Sequence, residues 1–389
     1  MQISPETFTI LVKANRIVKY QNEALPFSAY IIERHFLNIH ELARHLNVSI
    51  GTVSRALNGR VDVSDKTRQR VLDAAKAFGY SPNQSGRSLR SGTTGMVGFM
   101  IIANRERAIR GESFFMTLFD GLQASLAERG LDLVIYYCGT DQQPETYVRR
   151  IIERRLVDGL IISQTAKIDH RIDYLISAKL PFIAFGRSDS GGDHSWVDLD
   201  FEGVAERSVD LLYTQGHRQI AVATTADDVN FSHVYVDVCR KALAARGVRQ
   251  GDELVIRESM SEAGGYRVGE RILAINPRPT AVVVVENSMA IGLYTKLHEA
   301  GVLPGRDIAV VGFDQSPTQG LFLRPSLTQF HIAMSPLGHW MGEHIGALID
   351  AKQNGTSISP AQKIWPMELV LGGSSEMQVP PSVVAPSEV

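Results

Sequence analysis

The chain has 389 residues, 44% hydrophobic and 21% charged, the mix of an ordinary globular protein with room for two or more domains. No apolar run reaches the about 18 residues of a membrane helix, and Cys138 and Cys239 lack Cys or His neighbours at metal-ligand spacing, which sets aside a membrane protein and a zinc site. The formal net charge is −2, yet residues 38–92 hold nine Lys and Arg against four Asp and Glu, so a basic segment sits on an acidic body and one part is suited to facing phosphate.

Residues 1–37 read as an irregular lead without a clear period. Lys13, Arg16 and Lys19 are not followed by a long apolar core and a cleavage site, so no secretory signal is read. A cytoplasmic protein with two reduced core thiols is expected. A true start near Leu37 is the alternative for this stretch.

Residues 38–82 hold three short helical patterns. Asn38 followed by Glu41 has the form of a capping box, and Ile39, Leu42, Ala43 and Leu46 form one apolar stripe. Asn47 stands where the chain must turn, in a conformation asparagine tolerates. Ser49 caps a second helix with Val53, Ala56 and Leu57 inward, and small Ala43 allows a close crossing. Ser64 caps a third helix to about Ala77, with Val71, Leu72 and Ala75 buried. The spacing predicts a helix-turn-helix whose second helix is free to enter a major groove. A plain three-helix bundle is the competing reading. His40 and His45 are five residues apart and share no helix face, so no metalloprotease helix is read. Residues 83–94, polar and rich in Gly and Ser, read as a hinge and linker.

From Gly95 to Gly373 apolar strands alternate with amphipathic helices. Strands are expected at Met96–Ile102, Leu131–Tyr137, Gly159–Ser163, Pro181–Phe185, Ile220–Ala223, Ala281–Val285 and Ile308–Phe313. Helices are expected at Phe114–Arg129, Glu202–Gln215, Val234–Arg246, Gly265–Ala274 and Ser288–Glu299, several ending at a glycine that accepts the left-handed cap. The alternation means doubly wound α/β with parallel sheets, at a length that suits two similar lobes over residues 95–373. The tail, 374–389, is rich in Pro, Ser and Val and reads as disordered.

In such sheets ligands bind beyond the carboxyl ends of the strands. The residues found there are Asn104, Ser163, Gln164, Arg187, Thr224, Thr225, Glu286, Asn287, Asp314 and Gln315, with Phe114, Phe115, Phe185, Trp196 and Tyr235 nearby. Amide, carboxylate and guanidinium groups beside aromatic faces suit a sugar. Core packing is the alternative for Tyr235 and Phe114, and a surface pair with Asp189 the alternative for Arg187. No P-loop, GxSxG or GxGxxG stands in the sequence, so neither an enzyme nor a cofactor is expected.

Three stretches, residues 48–58 (VSIGTVSRALN), 63–71 (VSDKTRQRV) and 79–90 (GYSPNQSGRSLR), closely resemble the lactose/galactose repressor family. The resemblance runs from Asn38 to about Gly373. It implies a homodimer that reads a near-palindromic double-stranded operator, and a periplasmic-binding-protein-like effector domain. By this resemblance Ile50, Gly51 and Arg55 fall where the family reads bases, and Arg55 can pair bidentately with guanine. Gly51 departs from a longer side chain in some members. Ser49, Thr52, Ser54, Asn58 and Ser64 suit phosphate contacts or caps. Residues Asn83 to Ser91 resemble the family's hinge helix, with Arg87 in it and Leu89 where a leucine wedges into the minor groove. Gly86 stands where alanine is usual. Glu286, Asn287 and Asp314 match effector-contacting positions of the family, and with Asn104, Phe114, Gln164 and Arg187 from the strand-end reading they are the expected effector contacts, with Tyr235 at a position where many members carry arginine. The implied function is a repressor of carbohydrate-utilisation genes under a small sugar-like effector. A nucleobase or a phosphorylated protein co-regulator in place of the sugar is the alternative. A transport binding protein is disfavoured by the basic helix-turn-helix.

Overall fold

The computed structural model describes residues 10–13, 16–19, 38–57, 62–80, 92–103, 112–314 and 319–376. The chain divides into two compact units, Met1–Arg87 and Ser88–Val389.

The first unit opens with strands β1 (Ile10–Lys13) and β2 (Arg16–Lys19), which pair antiparallel. This corrects the expectation of an irregular lead. Ile10-Leu11-Val12 and Ile17-Val18 are two β-favouring runs close together, a hairpin signal too short to stand out by period. Helices α1 (Ile39–Leu46), α2 (Ile50–Leu57) and α3 (Asp65–Ala77) follow. Their core is Leu42, Ala43, Val53, Ala56, Val63, Val71 and Ala75. Leu72, expected inside, is exposed. Val71 and Ala75 are one turn apart on the inner stripe, and Leu72 lies off it.

The second unit contains two six-stranded sheets. The first comprises β3 (Met96–Ile102), β4 (Asp132–Cys138), β5 (Gly159–Ser163), β6 (Phe182–Phe185), β7 (Trp196–Leu199) and β13 (Gln362–Trp365), in the order β13-β7-β6-β5-β3-β4 and parallel throughout. The second comprises β8 (Ile220–Thr225), β9 (Val255–Glu258), β10 (Ala281–Val284), β11 (Ala309–Asp314), β12 (Thr328–His331) and β14 (Glu368–Val370). Its order is β14-β12-β11-β10-β8-β9, with only β14 antiparallel. Every residue of β5 and of β8 is buried, as helices covering both faces require.

The helices are α4 (Glu112–Glu128), α5 (Pro144–Glu153), α6 (His170–Ser177), α7 (Phe201–Thr214), α8 (Asn230–Ala244), α9 (Glu262–Ala274), α10 (Asn287–Glu299), α11 (Gln319–Phe322) and α12 (Met334–Gln353). The chain passes between the two sheets three times: from β7 into α7, from β12 into α12, and from β13 into β14. Helix α12 packs on α4 of the first lobe so closely that a Cβ on Gly338 would lie 2.0 Å from the Leu118 carbonyl oxygen. Each lobe is therefore built from two separated stretches of sequence.

Most expected strands lie within one or two residues of the observed ones. Strands β7, β9, β12, β13 and β14 were not expected. The tail also needs correction at its start. Gly373–Ser375 form a 3-10 turn with Ser374 and Ser375 buried. Ser374 Oγ accepts from Thr328 N at 2.8 Å and donates to the Val310 carbonyl at 2.6 Å, which ties this turn to β11 and β12. Residues 377–389 lie outside the described residues. Both cysteines are buried free thiols, far apart in sequence.

Candidate functional site

Local hydrogen bonds fix the geometry of the helix-turn-helix. Asn38 Oδ1 accepts from Glu41 N and Glu41 Oε2 accepts from Asn38 N, both at 3.0 Å, which completes the capping box. Asn47 ends α1 at φ 54°, the left-handed conformation, and its N–H donates to Ala43 O and Arg44 O. Ser49 Oγ accepts from Thr52 N at 3.0 Å, and the two hydroxyls pair at 2.8 Å. Ser49 and Thr52 thus satisfy one another at the cap. Val53 and Ala56 are buried and set the rotation of α2, which turns Ile50, Gly51 and Arg55 outward, with Ile50 40% exposed. Ser54 is half-buried. Arg55 Nε pairs with Asp62 Oδ2 at 3.3 Å. Asn58, Asn83, Arg87 and Leu89 lie outside the described residues.

In the two-lobed unit, the carboxyl ends of β5 and β6 meet the start of α8 across the lobes. The Asn230 N–H donates to the Thr165 carbonyl at 2.8 Å, and Asn230 Nδ2 donates to the Arg187 carbonyl at 2.9 Å. Thr165 Oγ1 donates to the same Arg187 carbonyl at 3.1 Å. Gly186, just before it, has φ 118°, and a Cβ there would fall 2.2 Å from Thr165 Oγ1, so the turn that presents Arg187 needs glycine.

The Arg187 side chain is held by two carboxylates. Its Nε donates to Asp198 Oδ2 at 2.9 Å and its Nη2 to both oxygens of Glu202 at 2.6 Å. The Asp189 alternative is thereby replaced. Burial works against the guanidinium charge, but Glu202 and Asp198 outweigh it and hold the group above the usual arginine range. Burial pushes the Asp198 carboxyl up against the pull of Arg187.

Gln164 sits at φ 55°, and its Oε1 accepts from Ile102 N at 2.9 Å, bracing the end of β5 against β3. Beneath it Arg171 and Asp169 form a buried bidentate pair, with Nε to Oδ1 at 2.9 Å and Nη2 to Oδ2 at 2.6 Å. Arg171 Nη2 also donates to the Ser163 and Gln164 carbonyls, so the pair fixes this loop.

On the second lobe Glu286 caps α10, accepting from Ser288 N at 2.8 Å and from the Ser288 hydroxyl. Asn287 is buried, and its Nδ2 donates to Gln329 Oε1 at 3.4 Å. Asp314 is the last residue of β11, and Phe114 lies in the first turn of α4. Asn104 lies outside the described residues. Tyr235 is a correction: it is 2% exposed in the core, facing Ser208 of α7 and Cys239, and burial pushes its phenol far up. Its helical position, one turn after Phe231, carries it inward. Phe201 stacks on Phe231 at 4.7 Å and on Phe313 at 5.6 Å between ring centroids, an aromatic floor where β7 crosses into α7. The sequence reading missed Asp198, Glu202, Phe201, Phe231 and Asn230. Asp198, Glu202 and Phe201 cluster around β7, a strand with no period-based signal, and Phe231 and Asn230 open α8, so none stood at an expected strand end.

Among the described residues no three His, Cys, Asp or Glu are placed to hold a metal, and no helix is long and apolar enough to cross a membrane.

A basic helix-turn-helix and a two-lobed α/β unit whose β5 and β6 strand ends meet the second lobe together define a DNA-binding regulator of transcription. Residues 38–83 match the model of the lacI family of bacterial regulatory proteins, and residues 209–375 match that of a periplasmic binding protein-like domain. It is similar to the HTH-type transcriptional regulator AglR of Rhizobium meliloti (strain 1021), 29% identical over 346 residues that cover 87% of this chain and 94% of the relative. RafR of Escherichia coli is 28% identical over 334 residues, covering 85% and 96%. Among solved structures, a complex of the transcriptional regulator CelR with cellobiose has a TM-score of 0.64 at 25% identity, covering 87% of this chain and 99% of that one. The Lac repressor dimer bound to operator and the anti-inducer ONPF shares the fold, with a TM-score of 0.74 at 22% identity and the same coverage.

Proposed function

We propose that this chain is a cytoplasmic, non-enzymatic repressor of carbohydrate-utilisation genes that binds a near-palindromic operator as a homodimer and releases it when a sugar-like effector enters the cleft. The observation that carries the reading is the pair of Asn230 hydrogen bonds spanning the lobes beside the Arg187 carboxylate clamp. A cleft whose two walls already touch can be closed or opened by a small ligand, and a ligand shifts such an equilibrium by its difference in affinity for the two states. That CelR is solved with cellobiose supports a sugar, and that the Lac repressor binds operator as a dimer supports two copies on two half-sites.

In this reading residues 38–82 read DNA, 83–94 form a hinge and 95–373 form the effector domain. Ile50 and Arg55 contact bases, and Ser49, Thr52, Ser54 and Asn58 serve caps and phosphates. Asn83, Arg87 and Leu89 belong to the hinge, with Leu89 as a minor-groove wedge. Asn104, Phe114, Gln164, Arg187, Glu286, Asn287 and Asp314 line the effector cleft. The stacked Phe201, Phe231 and Phe313 rings favour one second reading, a planar nucleobase in place of the sugar. A thermal-shift screen with mono- and disaccharides, sugar phosphates and nucleobases tests both. A sugar that raises the melting temperature and weakens operator binding is expected. A response to nucleobases alone selects the second reading, and no response to any of these classes discards both.

A further inference from the structure

The helix that presents Arg55 also leaves room for that side chain to lie along it. A Cβ built on Gly51 would sit 3.6 Å from Arg55 Nη1 and 3.7 Å from Nη2, in ordinary van der Waals contact. The guanidinium therefore lies over the bare backbone of Gly51, one turn nearer the start of α2. Asp62, on the segment leading into α3, takes the opposite edge of the same group through Nε at 3.3 Å. Among the described residues Arg55 forms no other ion pair. One edge of the fork is thus occupied by a carboxylate and the other, carrying Nη1 and Nη2, is turned toward the helix start. Two parallel N–H donors on that edge match the O6 and N7 acceptors of guanine.

We infer that Asp62 is a positioning residue for base reading: with Gly51 beneath, it orients the Arg55 fork toward guanine and keeps it from the phosphates. The inference rests on the reading of Arg55 as a base contact. Both side chains are about half exposed, so in free protein the pair is weak. In a groove that excludes water the same pair strengthens, because the screening is removed. The carboxylate repels phosphate, so an arginine that leaves Asp62 loses that contact before it gains a backbone one. Gly51 contributes by absence, since a longer side chain there would occupy the surface over which the guanidinium lies.

The test uses the full-length protein and a randomised duplex library. The sequence selected by the unsubstituted protein is compared with its version carrying A·T at the preferred G·C pair, and with random duplex, for Asp62→Ala, Asp62→Glu and Arg55→Ala. Asp62→Ala is expected to reduce discrimination at that one pair about fivefold, to bind random duplex more tightly, and to steepen the salt dependence by about one, as a freed arginine reaches a phosphate. Asp62→Glu restores most of the discrimination. Neither substitution should change the melting temperature of the exposed segment. Unchanged discrimination and salt slope in Asp62→Ala, while Arg55→Ala loses the preference, overturns the role of Asp62 alone. A preference that survives Arg55→Ala overturns the base-reading assignment and this inference with it.

Discussion

Asp169 and Arg171 show how one buried ion pair is made tolerable. Taking two charges out of water costs several kcal/mol each, so such a pair persists when most of its remaining donors and acceptors are occupied. Here Asp169 also accepts from the backbone N–H groups of Ala166 and Arg171, and Arg171 Nη2 donates to two carbonyls at the end of β5, which leaves only the buried Nη1 without a partner among the described residues. Burial by itself would raise the Asp169 carboxyl, but the Arg171 hydrogen bond and charge and the two backbone amides together hold it below the usual range. Asp169→Asn should therefore destabilise the effector domain by about 3 kcal/mol at neutral pH. The sign with pH follows from the lowered value. The contribution is present in full above the unfolded carboxylate pKa of about 3.9 and is lost as pH falls below it toward the folded value. Denaturant unfolding should show a gap between the two proteins that is constant down to about pH 5 and narrows below about pH 4. A gap that does not narrow would mean the lost stability comes from packing and not from the charge.

At the scale of elements, the helix contacts depend on glycines whose neighbours are backbone. On Gly338 of α12 a Cβ would fall 2.0 Å from Leu118 O, and on Gly121 of α4 1.9 Å from Ser335 O, so neither helix can yield without moving the other. On Gly346, two turns further along α12, the obstacle is the Arg129 side chain, with Cδ at 2.5 Å, which can swing aside. Gly338→Ala should cost about 3 kcal/mol through overpacking, whereas Gly346→Ala should stay within about 1 kcal/mol because it also gains helix propensity. Thermal unfolding of both variants measures this, and equal effects would show that α12 floats on α4.

The sequence made the central strands legible, because β5, β8 and β10 are buried on both faces and read as unbroken apolar runs. The Trp-Val-Asp-Leu of β7 and the Thr-Gln-Phe-His of β12 could not be read this way. Their polar members are buried only because distant segments supply partners: Arg187 for Asp198, and Ser374 and Ser375 for Thr328. The capping box and the left-handed Asn47 were legible because both are local. For Tyr235 and Arg187 the sequence shows only their distance from a strand end, and the packing of α7 and α8 makes one core and the other clamped.

For the whole two-lobed unit, the consequence lies in Asn230. This residue begins α8 in the second lobe, is buried, and sends one backbone and one side-chain hydrogen bond to the first lobe. Both acceptors sit on turns that are held in place, Thr165 by the Asp169–Arg171 network of its own lobe and Arg187 by Asp198 of β7 and by Glu202 at the start of α7, where the chain crosses to the second lobe. A bond between two rigid edges transmits force, so the Asn230 side chain contributes directly to the closed state. Asn230→Ala removes the Nδ2 donor and leaves the backbone bond. A net hydrogen bond of this kind contributes about 1 kcal/mol, about fivefold in the equilibrium between closed and open lobes. The variant should show a larger radius of gyration by small-angle scattering without ligand. It should bind whichever effector the screen identifies about fivefold more weakly, because binding must then supply the closure that the latch provided. Its operator affinity without effector should change in the direction of the open state, opposite to the direction the effector produces. If the radius of gyration rises while effector affinity stays the same, the latch orders the lobes without being coupled to the ligand. If neither changes, the chain crossings and the Arg187–Glu202 pair set the lobe angle and Asn230 merely satisfies two carbonyls.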